Sequence, residues 1–62
     1  MRTFSLFTTD TRYSVPTLTL VVVDDEQRAI ELAQANLSQS EFHRAVELRD
    51  EKRAIYQKLK VA

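Results

Sequence analysis

Three groups of residues in this chain could support chemistry, and the first is a single imidazole. His43 lies between Glu41 and Glu47, so it could act as a base or bind a metal ion beside these carboxylates. The sequence provides no activated nucleophile with an orienting third group, and His43 is the only histidine. We therefore expect His43 to have a structural or surface role, and we expect the protein not to be an enzyme.

The second group is the acidic run Asp24-Asp25-Glu26, which could coordinate a hard cation such as Mg²⁺. The run follows a β-branched segment and precedes an alanine-rich one, so it lies where a strand ends and a helix begins. Carboxylates at that point stabilise the positive end of a helix and place charge beside an aggregation-prone strand. The chain has no cysteine, which excludes thiolate metal sites. We expect no metal and no other cofactor.

The third group is basic and occupies the last third of the chain. Its members could contact phosphates if the protein bound nucleic acid: Arg44, Arg49, Lys52, Arg53 and Lys58. Acidic residues are interspersed among them, and the sequence lacks both a glycine-rich loop and an aromatic pair for base stacking. Nine basic and nine acidic side chains also cancel over the whole chain, so no strong field attracts nucleic acid. A solvated, salt-bridged surface is favoured, with weak nucleic-acid binding as the alternative function.

The length of 62 residues predicts one small domain over residues 1–62, and the strands and helix predicted below make it an α+β domain. A core in so short a chain rarely supplies more than about 5 kcal/mol, and disulfides, metals or oligomerisation usually add to it. Without cysteine, oligomerisation is the remaining source of stability. The sequence shows no signal peptide, and its longest apolar stretch, Leu18 to Val23, is far shorter than the ~20 residues of a membrane span. We expect a cytoplasmic protein without a membrane partner.

Alternation of apolar and polar residues predicts strands at Thr3–Thr8 and Thr17–Val23. The second strand is β-branched except for two leucines, and its second half is apolar on both faces, as in a central or covered strand. Asp24 then resembles the first residue of a capping box, with Gln27 three residues later. The following helix has an apolar stripe at 3.6-residue spacing: Ala29, Ile30, Ala33 and Leu37.

Residues 42–59 are consistent with two structures. Ala45–Arg49 and Ala54–Gln57 alternate like two strands of a hairpin. The segment is also rich in good helix formers, and its apolar residues share one broad helical face. The absence of glycine from the chain removes the residue that a tight type I′ hairpin turn prefers. The residues alone leave the two alternatives open.

Three segments resemble a group of short uncharacterised bacterial proteins, chiefly alphaproteobacterial: Tyr13–Leu18, Asp24–Leu37 and Phe42–Asp50. The pattern in that group runs through a strand, a "VPTL" strand, an alanine-rich helix with an acidic start, and a "VEVWDG…RLV" hairpin. The resemblance implies a ββαββ fold, rather than ββαα, and brings no known activity. Arg49-Asp50-Glu51 replaces "WDG" here, so both the aromatic residue and the turn glycine are missing and we expect a longer loop.

In a ββαββ fold, one helix covers only one face of the sheet. The alternation predicts one set of residues beneath the helix: Phe4, Leu6, Leu18, Leu20, Val22, Val46, Leu48 and Ile55. It predicts a second set on the outer face, which would form an exposed apolar surface for a partner: Phe7, Val21, Val23, Ala45, Ala54 and Tyr56. From this surface we expect a non-enzymatic protein-interaction module that forms a homodimer or binds another protein.

Overall fold

The computed structural model describes residues 1–60, which form one antiparallel sheet and one helix. The elements in chain order are β1 (Arg2–Asp10), β2 (Thr17–Val23), α1 (Glu26–Ser38), β3 (His43–Arg49) and β4 (Ala54–Leu59). The strand order in the sheet is β2-β1-β3-β4, so β1 and β3 are central and β2 and β4 are edges. The ββαββ fold is confirmed, and the helical alternative for residues 42–59 is wrong.

The core lies between α1 and the two central strands. Phe4 and Leu6 of β1 and Val46 and Leu48 of β3 are buried, each with 2% or less of its surface exposed. The helix contributes the predicted stripe, in which Ala29, Ala33 and Leu37 are buried and Ile30 packs against them. Because two of the buried helix residues are alanines, the helix axis can approach the sheet closely. The helix lies chiefly over β3 and makes fewer contacts with β2.

The orientation predicted for β2 is wrong. Val21 is only 8% exposed and faces α1, whereas Leu18, Leu20 and Val22 lie on the outer face. The pairing with β1 sets this orientation, because Phe4 pairs with Val21 and residues directly opposite each other share a face. Both alternate sets of β2 contain apolar residues, so the alternation along the sequence did not determine which set faces the core.

The predicted outward orientation of Tyr56 is also wrong. Tyr56 pairs with Leu48, faces α1 and accepts a hydrogen bond from Gln34 Nε2 at 3.3 Å. The register between β3 and β4 shifts after Leu48, leaving Ile55 without a direct partner, as in a β-bulge. Ile55 and Tyr56 consequently both pack against the core, although they are adjacent in sequence. The expected position of Ile55 on the helix side is confirmed.

Aspartate side chains take over the role that glycine often has in turns. In the β3–β4 loop, Asp50 Oδ1 accepts hydrogen bonds from the backbone N–H groups of Lys52 (2.8 Å) and Arg53 (2.9 Å). An aspartate that bonds the backbone two or three residues ahead stabilises a turn without positive φ. No residue in positions 1–60 has a positive φ. The hairpin therefore closes without the tight glycine turn, over a loop of four residues between Arg49 and Ala54.

The start of α1 follows the same principle but differs from the sequence prediction by one residue. Asp25, rather than Asp24, is the N-cap, and its Oδ1 accepts a hydrogen bond from Arg28 N at 2.7 Å. Glu26 then lies in the first turn, where a carboxylate interacts favourably with the helix dipole. Because Asp24 and Asp25 are both aspartates, the sequence alone did not distinguish which of them caps the helix.

The core assignment can be tested at the C-terminal end of α1. Leu37→Ala should lower the free energy of unfolding by about 2–5 kcal/mol, because it leaves a cavity beneath the helix. Leu59→Ala removes an equally large side chain from a site that is 76% exposed, and it should cost less than about 0.5 kcal/mol. Urea unfolding of both variants measures the difference. Similar losses would contradict the assigned core.

Candidate interaction surface

The outer face of the sheet, opposite α1, carries the largest exposed apolar side chains of the strands. On β2 these are Leu18, Leu20 and Val22, which are 54%, 63% and 52% exposed. Phe7 is half-buried beside them, since it pairs with Leu18, and Leu59 lies at the opposite edge of the same face. Glu47 and Arg49 interrupt the apolar surface with an ion pair at 3.0 Å. The apolar character is therefore concentrated on β2.

The predicted partner surface is only partly assembled on this face. Phe7 and Ala54 lie on the outer face, as does Ala45. Val21, Val23 and Tyr56 instead pack against the core. Leu18, Leu20 and Val22 of β2 lie on the outer face in their place, although the sequence pattern predicts them on the helix side. The register of β1 with β2 would have identified them, but the loop between these strands has no recognisable turn sequence from which that register could be read.

The edge formed by β2 is open and carries no charge. Among residues 1–60, β1 is the only strand that pairs with β2, so the backbone groups on the other side of β2 have no strand partner. The seven residues of β2 are threonine, leucine and valine, and their pairing with β1 has no bulge. Natural proteins usually protect a free edge with charge, proline or a bulge. None of these devices lies within β2.

The opposite edge, β4, has the usual protection. Lys58 lies on this strand and Lys60 follows it directly. The register shift opposite Leu48 also makes the edge irregular. These features discourage pairing of another strand with β4. The two edges of one sheet therefore differ sharply in their capacity to accept a further strand.

A cleft separates β2 from α1 on the helix side. Thr19 and Val21 of β2 line one wall, and Leu32, Ala35 and Gln39 of α1 line the other. None of the residues that line this cleft has a charged side chain. The open edge of β2 is thus bordered by neutral surface on both of its faces.

The candidate phosphate-binding residues do not share one surface. Arg49 is on the outer face, and Lys58, opposite Val46, is on the helix side. Lys52 and Arg53 lie in the β3–β4 loop, where Arg53 pairs with Glu26 at 3.3 Å. Arg44 is near the other end of the hairpin, at the start of β3. A bound phosphate backbone could not contact all five from one side.

His43 belongs to a partly buried polar cluster that ties the end of α1 to the end of β1 and the start of β3. Its Nδ1 lies 2.6 Å from the carbonyl oxygen of Asn36. Since a carbonyl only accepts hydrogen bonds, Nδ1 carries the proton and donates it. The Asn36 side chain in turn accepts a hydrogen bond from Thr8 Oγ1 at 2.8 Å. His43 Nε2 points toward Asp10 Oδ2 at 3.8 Å.

Asp10 is the buried charge of this cluster, and no sequence pattern singled it out. Arg12 binds both of its oxygens, with Nε 3.0 Å from Oδ1 and Nη2 2.8 Å from Oδ2, and Arg12 N adds a bond of 2.7 Å. These hydrogen bonds lower the pKa of Asp10 to about 2, against the opposing effect of burial. The Arg12 guanidinium also lies 4.5 Å from the centre of the Phe42 ring.

The hydrogen bonds of this cluster connect the end of α1 to β1 through Thr8 and to β3 through His43. Among the buried side-chain atoms of residues 1–60, none lacks a hydrogen-bond partner.

The described residues contain no cluster of three or more His, Asp or Glu side chains arranged to hold a metal ion. Asp25 and Glu26 of the acidic run serve α1 as its cap and first-turn carboxylate. Over residues 1–60, no helix has the length and hydropathy needed to cross a membrane.

The lowered pKa of Asp10 predicts a particular loss of stability in acid. In the unfolded chain this carboxyl has a pKa near 3.8, so its stabilising effect is complete above that pH and disappears as the pH falls toward 2. Thermal unfolding measured from pH 6 to pH 2 should therefore show a steeper loss of Tm for the wild type than for Asp10→Asn. Parallel curves would contradict the role of Asp10. The Asn variant should also be less stable at pH 6, since it lacks the ion pair with Arg12.

No protein-family model matches the sequence, and searches of the curated proteins and of the solved structures find no match.

Proposed function

We propose that the protein is a small non-enzymatic interaction module whose partner is a second copy of itself, and that it associates through the edge strand β2. The observation that carries the proposal is the unprotected edge: seven consecutive uncharged residues, on whose open side no strand of residues 1–60 lies. Exposed edges of this kind readily pair with another strand. In a two-fold homodimer, the free backbone groups of the two β2 edges would pair with each other. Because such a dimer is closed, no further copies could add at this edge.

The contrast between the two edges supports this assignment. The β4 edge carries lysine and an irregular register, whereas β2 has neither. Because only the β4 edge is protected, the sheet is expected to accept one further strand, at the β2 edge. Strand addition of this type gains affinity from main-chain hydrogen bonds and selectivity from alternate side chains. On β2 the alternate outer side chains are Leu18, Leu20 and Val22.

The small core provides a second reason for association. The buried hydrophobic residues of the described chain include two alanines and only one aromatic residue, Phe4. Such a core supplies little stability, and the chain has no cysteine for a disulfide. Dimerisation linked to folding adds stability that increases with protein concentration.

The decisive experiment compares two matched substitutions on opposite edges of the sheet. Leu20→Lys places a charge in the middle of β2, while Leu59→Lys places the same charge on β4. Both leucines are exposed and lie on the outer face, so neither change disturbs the core. We expect light scattering to find the wild type and Leu59→Lys as dimers and Leu20→Lys as a monomer. Because a one-strand interface is small and weak, measurements should extend from about 10 µM to about 1 mM protein.

The melting temperature gives an independent readout. It should rise with concentration for the wild type and Leu59→Lys, and should be independent of concentration for Leu20→Lys. Loss of the dimer in both variants would mean that copies associate by packing their outer faces, and the edge assignment would be wrong. A wild type that stays monomeric near millimolar concentration would refute self-association altogether.

A further inference from the structure

Building on the proposed self-association, we infer its register: two β2 strands pair antiparallel about a two-fold axis that passes beside Leu20. The pairing joins two four-stranded sheets into one of eight strands, with both α1 helices on the same face. Leu20 then lies opposite Leu20 of the second copy, and Leu18 lies opposite Val22 of the second copy. On the helix side, Thr19 lies opposite Val21 of the second copy.

Symmetry restricts the registers that are available. A two-fold axis that pairs identical strands antiparallel runs perpendicular to the sheet, so outer face joins outer face. Directly opposed residues share a face, so a residue of β2 can lie opposite itself or opposite a residue an even number of positions away. The axis must therefore pass beside one residue of the strand, and the question becomes which residue it is.

The length of β2 selects Leu20. The strand runs from Thr17 to Val23, so Leu20 is its midpoint and an axis there pairs all seven residues. Moving the axis by one residue, to Thr19 or Val21, leaves two residues of each strand without a partner. The Leu20 register therefore forms the longest ladder and buries the most of Leu18 and Val22 against the second copy.

The residues that flank β2 restrict the register further. Pro16 precedes the strand and has no N–H to donate, so an axis displaced toward Thr17 would bring a proline into the ladder. Asp24 follows the strand, so an axis displaced toward Val23 would bring the Asp24 carboxylates of the two copies together. In the Leu20 register, each Asp24 follows the end of the ladder opposite Pro16 of the second copy, and both conflicts are avoided.

The cleft between β2 and α1 can accommodate the second copy on the helix side. Its walls include Val21 of β2 and Leu32 and Ala35 of α1, and no lining side chain is charged. When two edges join, the two clefts merge into one between the paired helices. Neutral walls mean that no like charges oppose each other there.

Single cysteines can test this register, because the native chain contains none. Residues directly opposite in an antiparallel pair have Cα atoms about 4.5–5.5 Å apart, within the range of a disulfide. Leu20→Cys should therefore form a symmetric disulfide on mild oxidation, and most of the protein should migrate as a dimer on a non-reducing gel. Leu18→Cys and Val22→Cys should each give little dimer, since the Val22 residues of the two copies would be about 14 Å apart.

A mixture of the Leu18→Cys and Val22→Cys proteins provides the complementary result. The two cysteines should lie opposite each other in the mixed dimer, so the mixture should cross-link although neither protein does so alone. Leu59→Cys is the matched control on the other edge and should remain uncross-linked. Light scattering under reducing conditions establishes that each variant still associates.

The outcomes separate the register from the proposed function. If the reduced proteins dimerise but Leu18→Cys or Val22→Cys cross-links to itself more than Leu20→Cys does, the register is wrong and self-association stands. If Leu59→Cys cross-links best, the copies meet at a different surface and the register is also wrong. If neither the wild type nor any variant dimerises, both the register and the proposed function fail.

Discussion

A single helix of 13 residues can cover only one face of a four-stranded sheet, and the rest of this structure depends on that limit. The helix lies chiefly over β3, and the residues of the two central strands that face it are nearly inaccessible to solvent. The Cα trace extends only 15 Å in its thinnest dimension, which fits one sheet and one helix. Over residues 1–60, no second layer covers the outer face, and β2 lies at one of the two edges of the sheet.

The elements of the fold could be predicted from sequence to a large extent, whereas the orientation of β2 could not. The positions of the strands and the alanine stripe of α1 follow from periodicity and propensity, and the hairpin followed from the resemblance rather than from the residues. In β2, both alternate sets contain apolar residues, and the pairing of Val21 with Phe4 determines which set faces the helix. The same ambiguity affected the candidate surface, since Leu18, Leu20 and Val22 exchanged places with residues of the other set. A β-bulge, which brings Ile55 and Tyr56 to the same side, has no signature in this sequence.

The polar cluster around Asp10 gives the small core a specificity that its apolar residues alone would not provide. Asn36 of α1 accepts hydrogen bonds from Thr8 of β1 and His43 of β3, so three elements meet at bonds with fixed directions. Asp10 of β1 lies 3.8 Å from His43 Nε2. Arg12 neutralises the buried carboxylate from the solvent side and covers Phe42. Hydrogen-bonded networks of this kind favour one arrangement of the elements over alternatives of similar hydrophobic burial. Periodicity could not reveal it, because these residues are distant in sequence and lie at the ends of their elements.

The absence of glycine has a consequence beyond the geometry of the turns. Glycine samples a wider range of backbone conformations than any other residue, so each glycine increases the entropy that an unfolded chain loses on folding. This chain forms its loops with aspartates at positions 10 and 50 and begins its helix with Asp25. Its unfolded ensemble is correspondingly narrower than that of a glycine-containing chain of the same length. A domain with so few buried side chains can therefore fold against a smaller entropic penalty.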